Sequence, residues 1–227
     1  MCGRYTLHQT AENLARRFNL ASVPGHIPEN YNVAPGQIMP VIVEDEGSRK
    51  LELMKWGLIP VWSKDPRIGY KLINARDDGI FDKPIWRGVI LHKRALIPAD
   101  GFYEWKRSLD PKGRKRPFYI HPKREELFAF AGVWETWKSS EGVEQKTFSI
   151  ITTEPNKEMA EVHNRMPVIL HREDEASWLE SSKVTRDSIE PLLRPYEDNG
   201  LEMYEVSSDV NVVRNNEAKL IYPLNAQ

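Results

Sequence analysis

Cys2 is the only cysteine in a chain of 227 residues, and it follows Met1 directly. Removal of Met1 leaves a thiol and a free α-amine on one residue. Such a 1,2-aminothiol condenses with an aldehyde to an imine, and the thiol then closes a five-membered thiazolidine ring. The thiolate is the reactive form, and an α-amine titrates at roughly 7.7–8.0, so both groups can work near neutral pH. If Met1 is retained, the amine is blocked and the trap does not form. A free cysteine is also commonly a small buried hydrophobe, so the rest of the chain has to decide between the two roles.

Three other polar residues have chemistry-bearing surroundings. Glu104 stands in Ala99-Asp100-Gly101-Phe102-Tyr103-Glu104-Trp105-Lys106. In a strand it shares a face with Phe102 and is flanked by Tyr103 and Trp105. A carboxylate among aromatic rings is desolvated, which favours the protonated form and suits it to moving protons. An exposed edge-strand glutamate is the plainer alternative. His163 closes an expected helix in Glu161-Val162-His163-Asn164-Arg165-Met166-Pro167 and is placed to enter a cleft, or else is a satisfied surface or core histidine. Asn74 and Arg76 follow the apolar step Leu72-Ile73, where an amide and a guanidinium could orient a carbonyl and a phosphate. Turn chemistry is the alternative for Asn74. Trp56 and Trp62 bracket Gly57-Leu58-Ile59-Pro60-Val61; Trp56 reads as core and Trp62 as a loop aromatic able to wedge against a base.

Composition bounds the function classes. Hydrophobic residues make up 40% and charged residues 29%, as in ordinary globular proteins. No apolar run approaches the roughly 20 residues of a membrane span, and the N-terminus lacks a signal-peptide apolar stretch. A single cysteine excludes an internal disulfide framework and fits a reducing cytosol. The histidines show no zinc-type spacing, so no metal is expected, and no Gly-rich phosphate loop or Gly-x-Ser-x-Gly elbow implies a cofactor or a serine nucleophile. The net charge of −1 hides an asymmetry: residues 1–124 carry 22 Lys+Arg against 13 Asp+Glu, and residues 125–227 carry 10 against 20. The basic front half suggests an anionic partner.

The elements that must position these residues are short. A strand is expected over 2–8. A helix follows over 11–18, capped by Thr10, with Ala11, Leu14, Ala15 and Phe18 on one face. Residues 21–30 should be loop. Strands over 37–44 and 50–56 flank the hairpin-turn sequence Asp45-Glu46-Gly47-Ser48. Residues 57–81 read as loop-rich. Strands follow at about 93–98, 101–106, 117–121, 128–135, 147–153 and 166–170. Helices are expected at 155–163, 173–179 and 188–193, and short strands at 203–207 and 219–222. Residues 107–117 and 138–146 read as variable loops. Without regular crossover helices this pattern argues for a single α+β domain over 1–227, built on a mostly antiparallel sheet or open barrel with a few peripheral helices.

Six ordered blocks then resemble one family: Met1-Cys2-Gly3-Arg4-Tyr5, Tyr31-Asn32-Val33-Ala34-Pro35, Trp56-Gly57-Leu58-Ile59-Pro60, Ile73-Asn74-Ala75-Arg76, Pro98 to Trp105, and His163-Asn164-Arg165-Met166-Pro167. The chain resembles the SOS-response-associated peptidase (SRAP) domain from residue 2 to about 222. The resemblance implies recognition of abasic sites in single-stranded DNA and a thiazolidine DNA–protein crosslink through Cys2, after autoproteolytic loss of Met1. β-Elimination at the imine would be a competing lyase route. It also implies roles: Cys2 as nucleophile, Asn74 orienting Cys2 and the sugar, Glu104 managing protons at the amine, and His163 as general acid–base in closure and reversal. Arg4 and Arg76 would hold phosphates; Asn32, Pro35 and Trp62 would shape the DNA groove. Asn164 stands where some members carry Asp, implying a lower His163 pKa and slower reversal. The expected setting is a monomer in the cytoplasm at the replicating nucleoid, with no membrane contact. Three other readings stay open: an N-terminal-nucleophile amidohydrolase using the same Cys2 on amides, a nucleic-acid-binding module in which Cys2 is incidental, and a peptidase activity acting on other proteins in trans.

Overall fold

The computed structural model describes residues 2–23, 25–108, 113–181 and 184–224. Met1, Pro24 and residues 109–112 of the expected 107–117 loop lie outside the described residues.

The first strand, β1 (Tyr5–Leu7), leads into α1 (Ala11–Phe18). Thr10 caps α1 as expected, its hydroxyl accepting from the Asn13 N–H at 3.2 Å, and Ala11, Leu14 and Phe18 are buried on one face. After β2 (Asn30–Val33) comes the hairpin of β3 (Ile38–Asp45) and β4 (Ser48–Trp56). Its two-residue turn has Glu46 at φ 50° and Gly47 at φ 76°, the left-handed pair whose twist matches the flanking strands.

Five strands then form a ring. β6 (Arg94–Ala99), β9 (Phe128–Lys138) and β10 (Glu144–Thr153) join β3 and β4 in the order β10-β4-β3-β6-β9, and β9 pairs again with β10. The ring therefore closes as a barrel, where the sequence left it open, because long β10 has partners on both edges. Closure removes the exposed strand edges of an open sheet. Only the β4–β10 pair in the ring is parallel. The second sheet is wholly antiparallel, in the order β13-β8-β7-β1-β2, with β7 (Gly101–Lys106), β8 (Arg116–Pro122) and β13 (Leu201–Glu205). One core joins the barrel to the inner face of this sheet, and a smaller cluster of Tyr103, Tyr119, Val206, Val210 and Leu220 forms elsewhere on it.

One feature of β10 positions the site. β4 leaves its edge at Trp56, opposite Phe148, and β5 (Asn74–Arg76) takes over that edge at Ile150. Gly57 makes the exit possible: its φ is +118°, and a Cβ there would lie 2.6 Å from the Gly69 carbonyl oxygen. The loop-rich reading of 57–81 missed β5, which is only three residues long, and the 3₁₀ helix Pro66–Lys71.

Other differences are local. After α2 (Arg87–His92), the helix expected over 155–163 is much shorter: α3 spans only Lys157–Ala160, capped by Asn156, whose Oδ1 accepts from the Met159 N–H at 2.9 Å. The expected strand over 166–170 is two, β11 (Met166–Pro167) on β10 and β12 (Ile169–Leu170) on β9. α4 (Glu175–Leu179) and α5 (Arg186–Ile189) start two residues from their expected positions. The expected strand at 219–222 is a 3₁₀ turn, Ala218–Ile221, which buries Leu220 against the smaller cluster.

Candidate active site

Cys2 sits just ahead of β1 and is fully buried, with its Sγ 4.0 Å from the Arg4 carbonyl oxygen. Burial pushes the thiol far above the usual thiol range, and the Glu104 carboxylate pushes it further. At neutral pH the sulfur therefore keeps its proton until a base removes it.

Asn74, the first residue of β5, meets it from the barrel. Its Nδ2 donates to the Cys2 carbonyl oxygen at 2.8 Å. Its Oδ1 is buried and has no hydrogen-bond partner among the described residues. An acceptor left open beside Cys2 is unusual, because buried polar atoms are normally paired.

Glu104 comes from β7. Alternation turns Phe102 and Glu104 to one face, while Tyr103 and Trp105 join the smaller cluster on the other. Glu104 is buried and acts electrostatically on both Cys2 and His163. His163 follows α3. The Arg165 N–H donates to its Nδ1 at 3.1 Å, which leaves the proton of the neutral ring on Nε2. The Arg165 carbonyl oxygen, 3.2 Å from the same nitrogen, accepts from it when the ring is protonated. Burial holds the imidazole below its ordinary value, and the Glu104 charge opposes that. The fold thus gathers all four expected reactive residues from four separate segments.

The expected DNA-contact residues divide. Arg4 Nη1 donates to Asn32 Oδ1 at 2.6 Å and to the Val210 carbonyl at 2.7 Å. Asn32 is buried, and its Nδ2 donates to the carbonyls of Val210, Val212 and Asn215. Both brace the C-terminal segment from beneath. Pro35 begins a turn closed by Gln37 N–H to Ala34 carbonyl at 3.2 Å, with Gly36 at φ +90°. Arg76 is exposed and paired with Asp78 at 2.8 Å. Trp62 is exposed on the rim of a cavity of about 280 Å³ walled by Leu58, Pro60, Ile85 and Val89.

Arg165 also belongs to the site, with no sequence signal of its own. Its Nη2 donates to Asp77 Oδ1 at 2.6 Å and to the Thr152 carbonyl, so it locks the His163 segment to the end of β5. Its place inside the His163 block was visible; its partner, 88 positions away, was not. Tyr5 is a second such residue: its buried hydroxyl lacks a hydrogen-bond partner among the described residues and lies within electrostatic reach of Cys2. Among the described residues no three His, Cys, Asp or Glu side chains converge as a metal site, and no helix is long and apolar enough to cross a membrane.

Comparison with known proteins agrees in extent. The family described as "SOS response associated peptidase (SRAP)" matches residues 1–213. The chain is 46% identical over 223 residues to the abasic site processing protein YoqW of Bacillus subtilis (strain 168), covering 97% of this chain and 99% of that one. It is 33% identical to the abasic site processing protein HMCES of Gallus gallus, over 88% of this chain and 68% of that one. A crystal structure of a protein from Bacteroides thetaiotaomicron superposes with a TM-score of 0.89 at 29% identity, covering 98% of this chain and 99% of that one.

Proposed function

The chain belongs to the SOS response associated peptidase (SRAP) family, and from that premise we propose that it traps abasic sites of single-stranded DNA on Cys2. The observation that carries the proposal is the Asn74 hydrogen bond to the Cys2 carbonyl, which holds that residue beside Glu104 and His163. The names of its relatives, abasic site processing proteins, supply the substrate class.

In this reading one water hydrolyses the Met1–Cys2 peptide bond and frees the amine. The closed abasic sugar then opens: a base takes the proton of the C1′ hydroxyl, and protonated His163 gives one to the ring oxygen. The Cys2 amine adds to the C1′ aldehyde, and loss of one water leaves the imine. The Cys2 sulfur adds to the imine carbon, and its proton ends on the nitrogen, closing the thiazolidine. Glu104 carries that proton, which matters because the buried thiol does not ionise unaided. The open Asn74 Oδ1 accepts from the amine and fixes its direction of attack. Holding amine, thiol and aldehyde together makes each step effectively unimolecular, an advantage of up to about 7–11 kcal/mol. Ring closure consumes the imine that would otherwise permit strand cleavage by β-elimination. Arg76, Pro35 and Trp62 face the strand, while Arg4 and Asn32 brace the C-terminal segment.

The test is intact mass spectrometry after incubation with an abasic single-stranded oligonucleotide. The expected adduct is the chain without Met1 plus the oligonucleotide, less one water. Absence of any covalent adduct would refute the reading.

A further inference from the structure

The excursion between β4 and β5 carries more than the Trp62 rim. Tyr70, on the 3₁₀ helix Pro66–Lys71, is 63% exposed. It is nevertheless firmly mounted. The adjacent Gly69 packs against Gly57 so closely that a Cβ on Gly69 would lie 2.7 Å from the Gly57 carbonyl oxygen. The start of the helix is capped by Asp65, whose carboxylate accepts from the Arg67 N–H at 2.9 Å. The Tyr70 ring edge lies against the Pro35–Gly36 turn, with Cε1 3.4 Å from where a Gly36 Cβ would stand. Lys55 Nζ is 6.0 Å from the ring centroid.

This aromatic is linked to the reaction centre by a short series of contacts. Gly36 N–H donates to the Trp56 carbonyl at 2.8 Å, and Trp56 Nε1 donates to the carbonyl of Ile73, the residue before Asn74. On the side away from Asn74 the surface continues along the β3–β4 ribbon. Ile38 pairs with Lys55 and Pro40 with Leu53, so Ile38, Leu53 and Lys55 share one face. Ile38 is 62% and Leu53 54% exposed. Both line a groove of about 450 Å³ whose other walls are Ile27, Pro28, Met39 and Pro40, with Asn30 among its polar groups.

We propose that Tyr70 and Lys55, continued by Ile38 and Leu53, form a track for the unpaired nucleotides on one side of the lesion. Tyr70 offers its exposed ring for stacking on a base, and Lys55 meets the adjoining phosphate. A fixed aromatic beside a cation, followed by apolar side chains, suits single strands of any sequence, since every base has a π-face and every linkage a charge. A protein partner would favour a broader apolar patch without a lysine in its midst. The track lies wholly within the basic front half of the chain. The inference rests on the abasic-site reading above and deepens it.

The experiment uses abasic oligonucleotides with unpaired tails of increasing length on either side of the lesion. Binding is measured with a Cys2→Ala background and crosslinking with native Cys2. Affinity is expected to rise with tail length on one side only. Tyr70→Ala should weaken binding of the long-tailed oligonucleotide about fivefold or more and erase the gain from the tail, while Tyr70→Phe keeps both. Lys55→Ala should reduce the salt dependence of binding. A native protein that crosslinks but gains nothing from either tail overturns the track alone. So does a Tyr70→Ala variant that keeps the full gain, which would leave this surface to a protein partner. A native protein that crosslinks no abasic oligonucleotide overturns the parent reading instead.

Discussion

Asn74→Ala is the most direct test of how the fold prepares Cys2. The substitution removes the 2.8 Å hydrogen bond from Nδ2 to the Cys2 carbonyl and the open Oδ1 acceptor together. Asn74 is only partly buried, but the bond it makes reaches a fully buried residue. Stranding a buried carbonyl costs about 1–3 kcal/mol. If that energy holds Cys2 in its reactive position, the loss appears in the barrier, and each ~1.4 kcal/mol is tenfold in rate. Crosslinking should therefore slow by about 5- to 150-fold. Asn74→Asp should be at least as slow, because it sets a carboxylate oxygen against the carbonyl. Single-turnover crosslinking of an abasic oligonucleotide, followed on denaturing gels, measures the rate; affinity for an intact single strand should change less than twofold. Native crosslinking rates in Asn74→Ala, with thermal stability also unchanged, would sink the claim that this bond positions the nucleophile.

Further outcomes follow from the same geometry. Cys2→Ala keeps an amine able to form the imine but no thiol, so it should bind DNA and fail to give a heat-stable crosslink; such a crosslink from that variant contradicts the assignment of the sulfur. Burial holds His163 below its ordinary value, so its acid form is lost as pH rises through a point below about 6.5; crosslink reversal should accelerate down to that point, and His163→Gln should flatten the profile. Asp100 is buried and pushed up to about 7, chiefly by desolvation. Between about pH 4 and 7 the native state keeps a proton that the unfolded chain has released, so this group's contribution to stability falls as pH rises through that window, by at most ~4 kcal/mol. Asp100→Asn keeps an acceptor for the His8 N–H; thermal unfolding at several pH values should show a flatter curve and a gain at pH 8, and an unchanged pH dependence argues against an ionising Asp100. Gly57→Ala forces a Cβ against the Gly69 carbonyl at φ +118° and should cost roughly 2–4 kcal/mol, read as a fall in melting temperature.

Local rules, acting over a few residues, are readable in the chain without any partner. Thr10 and the apolar spacing after it place α1 to the residue, because capping and helical periodicity act within one or two turns. Glu46-Gly47 closes its hairpin because only a few residue types tolerate paired positive φ. Alternation alone puts Glu104 of β7 on the same face as Phe102. The residue types of the site were legible too, since Cys2 at an N-terminus, a carboxylate among aromatics and a histidine at a helix end each carry recognisable chemistry. Tertiary structure decided what depends on distant partners. β10 closes the barrel because it finds β9 on one edge and β4, then β5, on the other, and no local pattern announces those pairings. Asn74 reaches Cys2 across 72 positions only because Gly57 releases β4 and lets β5 take its place. Arg4 and Asn32 turn inward to C-terminal carbonyls 206 and 183 positions away, because those carbonyls need donors that a sequence window cannot see.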